Sequence, residues 1–336
     1  MPDSLTSPLA KPLQAARAGF RAPGRPLLWM AALAMLGGGV LYARRGQDIV
    51  PLADAPVVAG REAARPATAG GAVDTAVARS HARAQPQRAP TPAQQLRDRF
   101  ERSDDLYRYA QDLLPAMRAG DADATWMYSQ VQDYCSSYAS SPANYGRDTQ
   151  AIAGMGLRTS AAMSAARNRV SARCARFSPN DDLSYASILG NRLRAAKAGN
   201  LAAEASLLTM DHPLQGDDGY IRDLIERVRN SLDPDAYFAL SPRMGITSSG
   251  RRDFYGPVSG SQFSELAWQL AACRLGLPCG PNSVLMTNYC ANGGICSQDP
   301  DQDFDGFVFD AAVPRQGATV LNGLVDSLVG GERTKR

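Results

Sequence analysis

Three alternating aspartates, in the stretch DQDFDGFVFD (301–310), are the residues best suited to bind a metal ion. Asp301, Asp303 and Asp305 fall at positions 1, 3 and 5 of an EF-hand loop, and a glycine follows at position 6. Position 12 should carry a carboxylate that binds calcium through both oxygens, but Ala312 stands there. A second interpretation is an acidic turn whose last aspartates cap a helix that begins near Phe304. We therefore expect no cofactor, or calcium only at the low affinity of extracellular modules.

One carboxylate, Glu265, is a candidate for general-acid catalysis of the kind that cell-wall hydrolases use. It begins a predicted helix that carries Trp268, directly after a loop rich in Gly and Ser. The same position is typical of a first-turn Glu that complements the helix dipole. A hydrolytic triad would need a histidine, and His212 lies in MDHPLQGDDG, where its neighbour Asp211 is not placed to orient it. His81 lies in a Pro- and Ala-rich segment, and no phosphate loop or dinucleotide fingerprint is present.

Six cysteines predict disulfide bonds, because an even number in an exported chain is typical of an oxidising compartment. A zinc site is the alternative, but the last four cysteines form two C-x5-C pairs rather than the usual C-x2-4-C. The chain also has only two histidines. The six residues are Cys135, Cys174, Cys273, Cys279, Cys290 and Cys296.

The pairing of these cysteines follows from helix geometry. If the helices that precede the two C-x5-C pairs form a hairpin, Cys290 lies some 15 Å from Cys273, at about 1.5 Å per residue. A disulfide needs Cα atoms within about 7 Å, so Cys273–Cys279 and Cys290–Cys296 are predicted as local bonds. Cys135 and Cys174 then remain to join helices of the first half.

An apolar run, LLWMAALAMLGGGVLYA (27–43), predicts a transmembrane signal anchor at 26–43. The run is short for a span of about 20 residues, and a cleaved signal peptide is the alternative. No small-x-small cleavage motif stands directly before the Arg44–Arg45 pair, which favours the anchor. More basic residues precede the run than directly follow it, so residues 1–25 are expected in the cytoplasm. The main domain is then periplasmic, on a single-pass inner-membrane protein.

Residues 44–90 are rich in Ala, Pro, Arg and Gly and contain no aromatic residue, which predicts a disordered linker. Charge is divided along the chain. Residues 1–93 carry 11 basic and 5 acidic side chains, whereas the remainder carries 25 and 28. A basic N-terminal arm on a mildly acidic body argues against nucleic-acid binding, which would place the excess positive charge on the folded part.

The region 91–331 is predicted to be an all-α domain. Thr91, Pro92 and Gln94 form a capping box at its start, and no stretch alternates like a half-buried strand. Apolar residues recur at helical spacing in several segments, the first of them running from Leu96 to Met117. The dipeptide 330–331, Gly-Gly, is expected to end the last helix. We expect an irregular array of helix-turn-helix units linked by disulfides.

Two resemblances accompany these patterns. LPAMRAGDADA (114–124) and LRAAKAGNLAA (193–203) resemble the helix-turn-helix of Sel1-like and tetratricopeptide-like repeats, although their offset is not a multiple of such a repeat. The segment AWQLAACRLGLPCGPNS (267–283) resembles a segment of uncharacterised bacterial envelope proteins, with a Trp-bearing helix and paired cysteines. That resemblance implies export and disulfides, and no known activity.

The function favoured by these features is a non-catalytic binding or scaffolding module of the cell envelope, with envelope proteins as partners. The alternative is a cell-wall-acting hydrolase that uses Glu265 as its general acid. The sequence does not indicate the oligomeric state.

Overall fold

The computed structural model describes residues 90–330, and this segment is all-helical, without a strand. It contains fourteen α-helices and three short 3-10 turns, at Pro179–Asp181, Ile246–Ser248 and Arg315–Gly317. The α-helices are α1 Pro92–Arg102, α2 Leu106–Arg118, α3 Ala122–Ala139, α4 Pro142–Gly154, α5 Ser160–Cys174, α6 Tyr185–Lys197, α7 Leu201–Thr209, α8 Asp218–Ser231, α9 Pro234–Met244, α10 Arg252–Tyr255, α11 Gln262–Arg274, α12 Val284–Ala291, α13 Phe304–Ala311 and α14 Ala318–Val329.

The capping box predicted at the start of the domain is confirmed. The Thr91 hydroxyl accepts the Gln94 N–H at 3.2 Å, and the Gln94 side chain accepts the Thr91 N–H at 2.8 Å. The apolar pattern that follows does not form one helix, because α1 ends at Arg102 and Asp105 caps α2 by accepting the Arg108 N–H at 2.9 Å. A carboxylate that satisfies a free N–H favours a new helix start over continuation of the old one.

The two resembling turns have the same geometry. Gly120 and Gly199 both adopt a left-handed conformation, with φ of 87° and 99°. The next residue in each case, Asp121 or Asn200, donates its N–H 3.0 Å to a carbonyl five residues earlier, closing the preceding helix. Its side chain then caps the following helix. The amide of Asn200 also donates 2.8 Å to Asp123, so the two turns contact each other.

These turns build a layered helical array. α2 packs on α3, α3 on α6, α6 on α7, α7 on α9, α9 on α11, and α11 on α14. The core where α9 meets α11 contains Trp268 and Tyr237, whose rings lie 4.8 Å apart. The Tyr237 hydroxyl donates to the Arg229 carbonyl at 2.8 Å and lies 3.1 Å from that of Leu328, so it fastens both α8 and α14 to α9.

Three disulfides join the pairs predicted from their spacing: Cys135–Cys174, Cys273–Cys279 and Cys290–Cys296. The first connects α3 to α5, and both of its residues are fully buried. The other two close loops directly after α11 and α12. Each of these short loops is thereby held against the helix that it leaves.

The hairpin from which the pairing was predicted is not the main packing of α12. This helix packs chiefly against α5, where Arg169 donates to the Thr287 hydroxyl at 3.3 Å. It reaches α11 through the Tyr289 hydroxyl, which donates to Gln269 at 2.7 Å. The local pairing holds nonetheless, because six residues are enough to turn each chain back on its own helix end.

The predicted cytoplasmic tail 1–25, anchor 26–43 and most of the linker 44–90 lie outside the described residues. Within residues 90–330, no helix combines the length and apolar content that a membrane crossing requires.

Candidate functional site

Glu265 lies where the sequence predicts, in the first turn of α11 after the cap Ser261. Its side chain is half-buried against Gly245, where a Cβ atom would overlap the carboxylate. This burial raises the pKa of Glu265 above its ordinary value. A raised pKa is one property of a general acid, but Glu265 does not line the apolar pocket described below.

The aspartates of the EF-hand-like stretch occupy the turn before α13. Asp303 caps this helix by accepting the Gly306 N–H at 2.9 Å, and Asp305 lies in the first turn. Asp301 is exposed, and its own N–H donates to the Asp299 carboxylate at 2.9 Å. The helix-capping interpretation therefore describes Asp303. In the described part of the chain, no three His, Cys, Asp or Glu side chains are grouped to hold a metal ion.

His212 is exposed in the turn after α7. Its neighbour Asp211 accepts a hydrogen bond from Arg243 at 2.9 Å. The carboxylate that a triad would need is thus engaged with a guanidinium. His81 lies outside the described residues.

The structure also contains a pocket that no single sequence motif predicts. This apolar pocket has a volume of about 350 Å³ and opens between α1, α3, α9 and the α11–α12 connection. Most of its wall is aromatic or aliphatic, as is typical of small-molecule sites. The pocket lining includes Arg97, Glu101, Trp126, Asp235, Leu277 and Tyr289.

A buried ion pair forms the polar end of the pocket. Arg97, only 6% exposed, binds Asp235 of α9 through one terminal nitrogen at 2.5 Å. Burial raises the pKa of Asp235 to about 7, and the guanidinium of Arg97 opposes that rise. The carboxylates of Asp233 and Asp123 add to it. The pKa of the Asp235 carboxyl group therefore lies close to neutral pH.

Two buried side-chain N–H groups of pocket residues have no hydrogen-bond acceptor within the described part of the chain. The Nε–H of Arg97 and the indole N–H of Trp126 are both buried and make no hydrogen bond. Trp126 is 5% exposed, and the guanidinium of Arg192 lies 5.6 Å from the centre of its ring. A buried donor without an acceptor costs about 1–3 kcal/mol, so each needs a structural or functional reason.

Glu101 links the two sides of the pocket. Its carboxylate accepts the N–H of Val284, the first residue of α12, at 2.9 Å. Burial raises the pKa of Glu101, while this hydrogen bond and the nearby charge of Arg173 lower it. Glu101 therefore adds a second acidic group to the pocket.

The remaining wall depends on the Cys273–Cys279 disulfide. Leu277 and Pro278, which line the pocket, lie inside the loop that this bond closes. The loop is tied to α13 as well, because the Phe304 N–H donates to the Cys279 carbonyl at 2.9 Å. This part of the wall is thus held by covalent and backbone bonds rather than by packing alone.

Sequence reasoning missed Arg97, Trp126 and Asp235 as site residues. One signal was present: Arg97 lies three residues before Phe100, so both project from one helical face, and an arginine on an apolar face needs a partner. That partner, Asp235, is 138 residues away and reads as an ordinary first-turn acid of its own helix. No family model, curated protein or solved structure matches this chain.

Proposed function

We propose that this protein is a single-pass, N-in anchored binding module of the bacterial inner membrane, with a periplasmic helical domain and no catalytic activity. The three disulfides support an oxidising compartment, where such bonds persist. The apolar run at 27–43 and its basic flanks support the anchor. The apolar pocket is its ligand-binding site.

The observation that carries this proposal is an apolar pocket of about 350 Å³ with a few polar side chains in its wall. A space of this size between helices would ordinarily be filled by side chains. An arrangement of mainly apolar contacts with a few polar groups that orient the ligand is what binding sites use.

The alternative, a cell-wall hydrolase, has one observation in its favour, the raised pKa of Glu265. A general acid must also reach the bond that it protonates, so it belongs at the base of the substrate cleft. Glu265 packs against Gly245 and is not part of the apolar pocket. We therefore favour binding over hydrolysis.

Photo-crosslinking in cells that produce the protein tests whether the apolar pocket is a ligand-binding site. With p-benzoylphenylalanine in place of Phe238, a half-buried residue of the pocket wall, illumination should yield a discrete adduct. The same substitution at Tyr185, which is 58% exposed and outside the pocket, is the control and should not yield that adduct. No adduct at position 238, or the same adduct at both positions, would contradict the proposal.

A second prediction concerns the anchor. We expect the mature protein to retain residues 27–43 and to fractionate with the inner membrane, because no small-x-small motif stands directly before Arg44. Leu41→Ala creates an Ala-x-Ala sequence there and should release a shorter chain into the periplasm. N-terminal sequencing of the protein in the membrane and periplasmic fractions reads the result. A wild-type chain that starts beyond Tyr42 would show that the segment is a cleaved signal peptide.

A further inference from the structure

We infer that the apolar pocket binds a primary ammonium group carried on an apolar chain. This inference rests on the proposed function and narrows it to one class of ligand. Three features of the pocket lead to it: a carboxylate without a counter-ion, an arginine whose charge is already paired, and an aromatic lining.

The carboxylate is that of Glu101, which lies where α1 meets α12. One of its oxygens accepts the Val284 N–H at 2.9 Å, and both residues line the pocket. The other oxygen accepts no hydrogen bond within residues 90–330, and it retains accessible surface. No basic side chain of that segment forms an ion pair with this carboxylate. A half-buried carboxylate in the pocket wall therefore has one oxygen open to a ligand.

The two nearby arginines hold their charges on other groups. Arg97 lies one turn before Glu101 on α1, a spacing that permits an ion pair, but its guanidinium binds Asp235 instead. Arg173 donates to the backbone carbonyls of Ser103 at 2.8 Å and Glu101 at 3.2 Å, and it does not line the pocket. The wall therefore contains two carboxylates and one guanidinium, so one negative charge is left over when both acids are ionised.

The lining suits an organic cation on an apolar chain. Four of the lining residues are aromatic: Phe100, Trp126, Phe238 and Tyr289. Aromatic side chains bury the apolar part of a ligand, and they attract a cation that lies over the face of the ring. An ammonium group has three N–H donors and a positive charge, so it can bind the open oxygen of Glu101 and neutralise it.

Other head groups fit this wall less well. A ligand carboxylate would add a third negative charge beside a single guanidinium that is already paired. A hydroxyl group can donate one hydrogen bond to Glu101, but it leaves the carboxylate without a counter-charge. A buried charge is far more costly unpaired than paired, and an ammonium group removes that cost. A volume of about 350 Å³ admits a small amine or a single lysine side chain, which share this chemistry.

Three six-carbon probes that differ in the head group test this inference: hexylammonium, hexanoate and hexan-1-ol. Each is titrated calorimetrically at pH 7.5 into the purified full-length protein. Hexylammonium should bind about tenfold more tightly than either of the other two, because a hydrogen bond between charged groups is about twice as strong as a neutral one.

Matched variants separate the charge of Glu101 from the shape of the pocket. Glu101→Gln keeps the size of the side chain and an oxygen that can accept the Val284 N–H, but it removes the charge. It should weaken hexylammonium binding about tenfold, whereas an unchanged affinity for hexan-1-ol would show that the pocket is intact. Glu265→Gln is the control, because Glu265 is also half-buried but does not line the pocket. It should leave the affinities of all three probes unchanged.

The outcomes distinguish the ligand class from the binding role. Tighter binding of hexylammonium that Glu101→Gln removes and Glu265→Gln does not would support the inference, and the mass of the adduct at position 238 would then distinguish a free amine from a lysine of a second protein. Equal or tighter binding of hexanoate or hexan-1-ol, or an equal effect of both variants, would overturn the ammonium assignment and leave the pocket as a ligand-binding site. No binding of any probe at millimolar concentration would also overturn it, and the crosslinking at position 238 would decide the proposed function on its own.

Discussion

Arg97→Met is expected to lower the free energy of unfolding by about 3–5 kcal/mol at pH 8, because it leaves the Asp235 carboxylate buried without its counter-charge. The methionine side chain is apolar and reaches about as far as the arginine Nε, so it lacks the three outer atoms of the guanidinium. The part of the penalty that comes from the lost charge pair is therefore read from its dependence on pH. Breaking one side of a buried pair costs far more than the pair itself contributes.

The effect should depend on pH in a defined direction. Burial raises the pKa of Asp235 from 3.8 to about 7, so the folded state binds a proton that the unfolded state releases between these values. This group therefore contributes most stability below about pH 4, and its contribution is lost as the pH rises through 7. At pH 5 Asp235 is largely neutral, and Arg97→Met should cost less than half of what it costs at pH 8.

Urea unfolding at pH 5 and pH 8, followed by circular dichroism, measures this difference. Arg99→Met is the matched control on the same helix, because Arg99 pairs with Asp112 at the surface, where the side chains are 52% and 49% exposed. That change should cost less than about 1 kcal/mol at either pH. Asp235→Asn added to Arg97→Met should recover part of the loss at pH 8. Equal losses at both pH values would show that the charge of Asp235 is not the cause.

Removal of the Cys135–Cys174 disulfide, by replacing both residues with alanine, should cost about 3–4 kcal/mol. The bond closes a loop of about 40 residues, and the chain entropy that it removes from the unfolded state grows with loop length. Both cysteines, one in α3 and one in α5, are fully buried. Alanine is chosen rather than serine because a serine would bury a hydroxyl group. The same change at Cys273–Cys279, which closes a loop of about six residues, should cost about 2 kcal/mol.

Thermal and urea unfolding of the two double variants, compared with the wild type, test this order. The two bonds differ in a second way that serves as an internal check. Loss of Cys273–Cys279 frees Leu277 and Pro278 and should lower the yield of the crosslink at position 238, whereas loss of Cys135–Cys174 should affect stability more than crosslinking. A larger stability loss on removal of Cys273–Cys279 would contradict this order. It would mean that the loop after α11, rather than the α3–α5 connection, contributes the more important covalent bond.

The parts of the structure that the sequence predicts are those set by local chemistry. Thr91 and Gln94 meet because three residues separate them, and Gly120 and Gly199 end helices because only glycine adopts a left-handed conformation at little cost. The late cysteine pairs belong to the same class, since six residues span the distance that a disulfide allows. All-helical structure in residues 90–330 follows from the same local preferences.

The site belongs to the tertiary structure. Arg97 could be recognised as unusual on its apolar face, but its partner Asp235 is one acid among 33, and nothing in its surroundings along the chain marks it. Likewise α12 packs on α5 rather than mainly on α11, because apolar faces choose partners by the shape and area they bury, which a one-dimensional pattern does not encode. Local hydrogen bonds decided where the helices begin and end. Non-local burial decided which of them meet, and hence where two donors were left without acceptors.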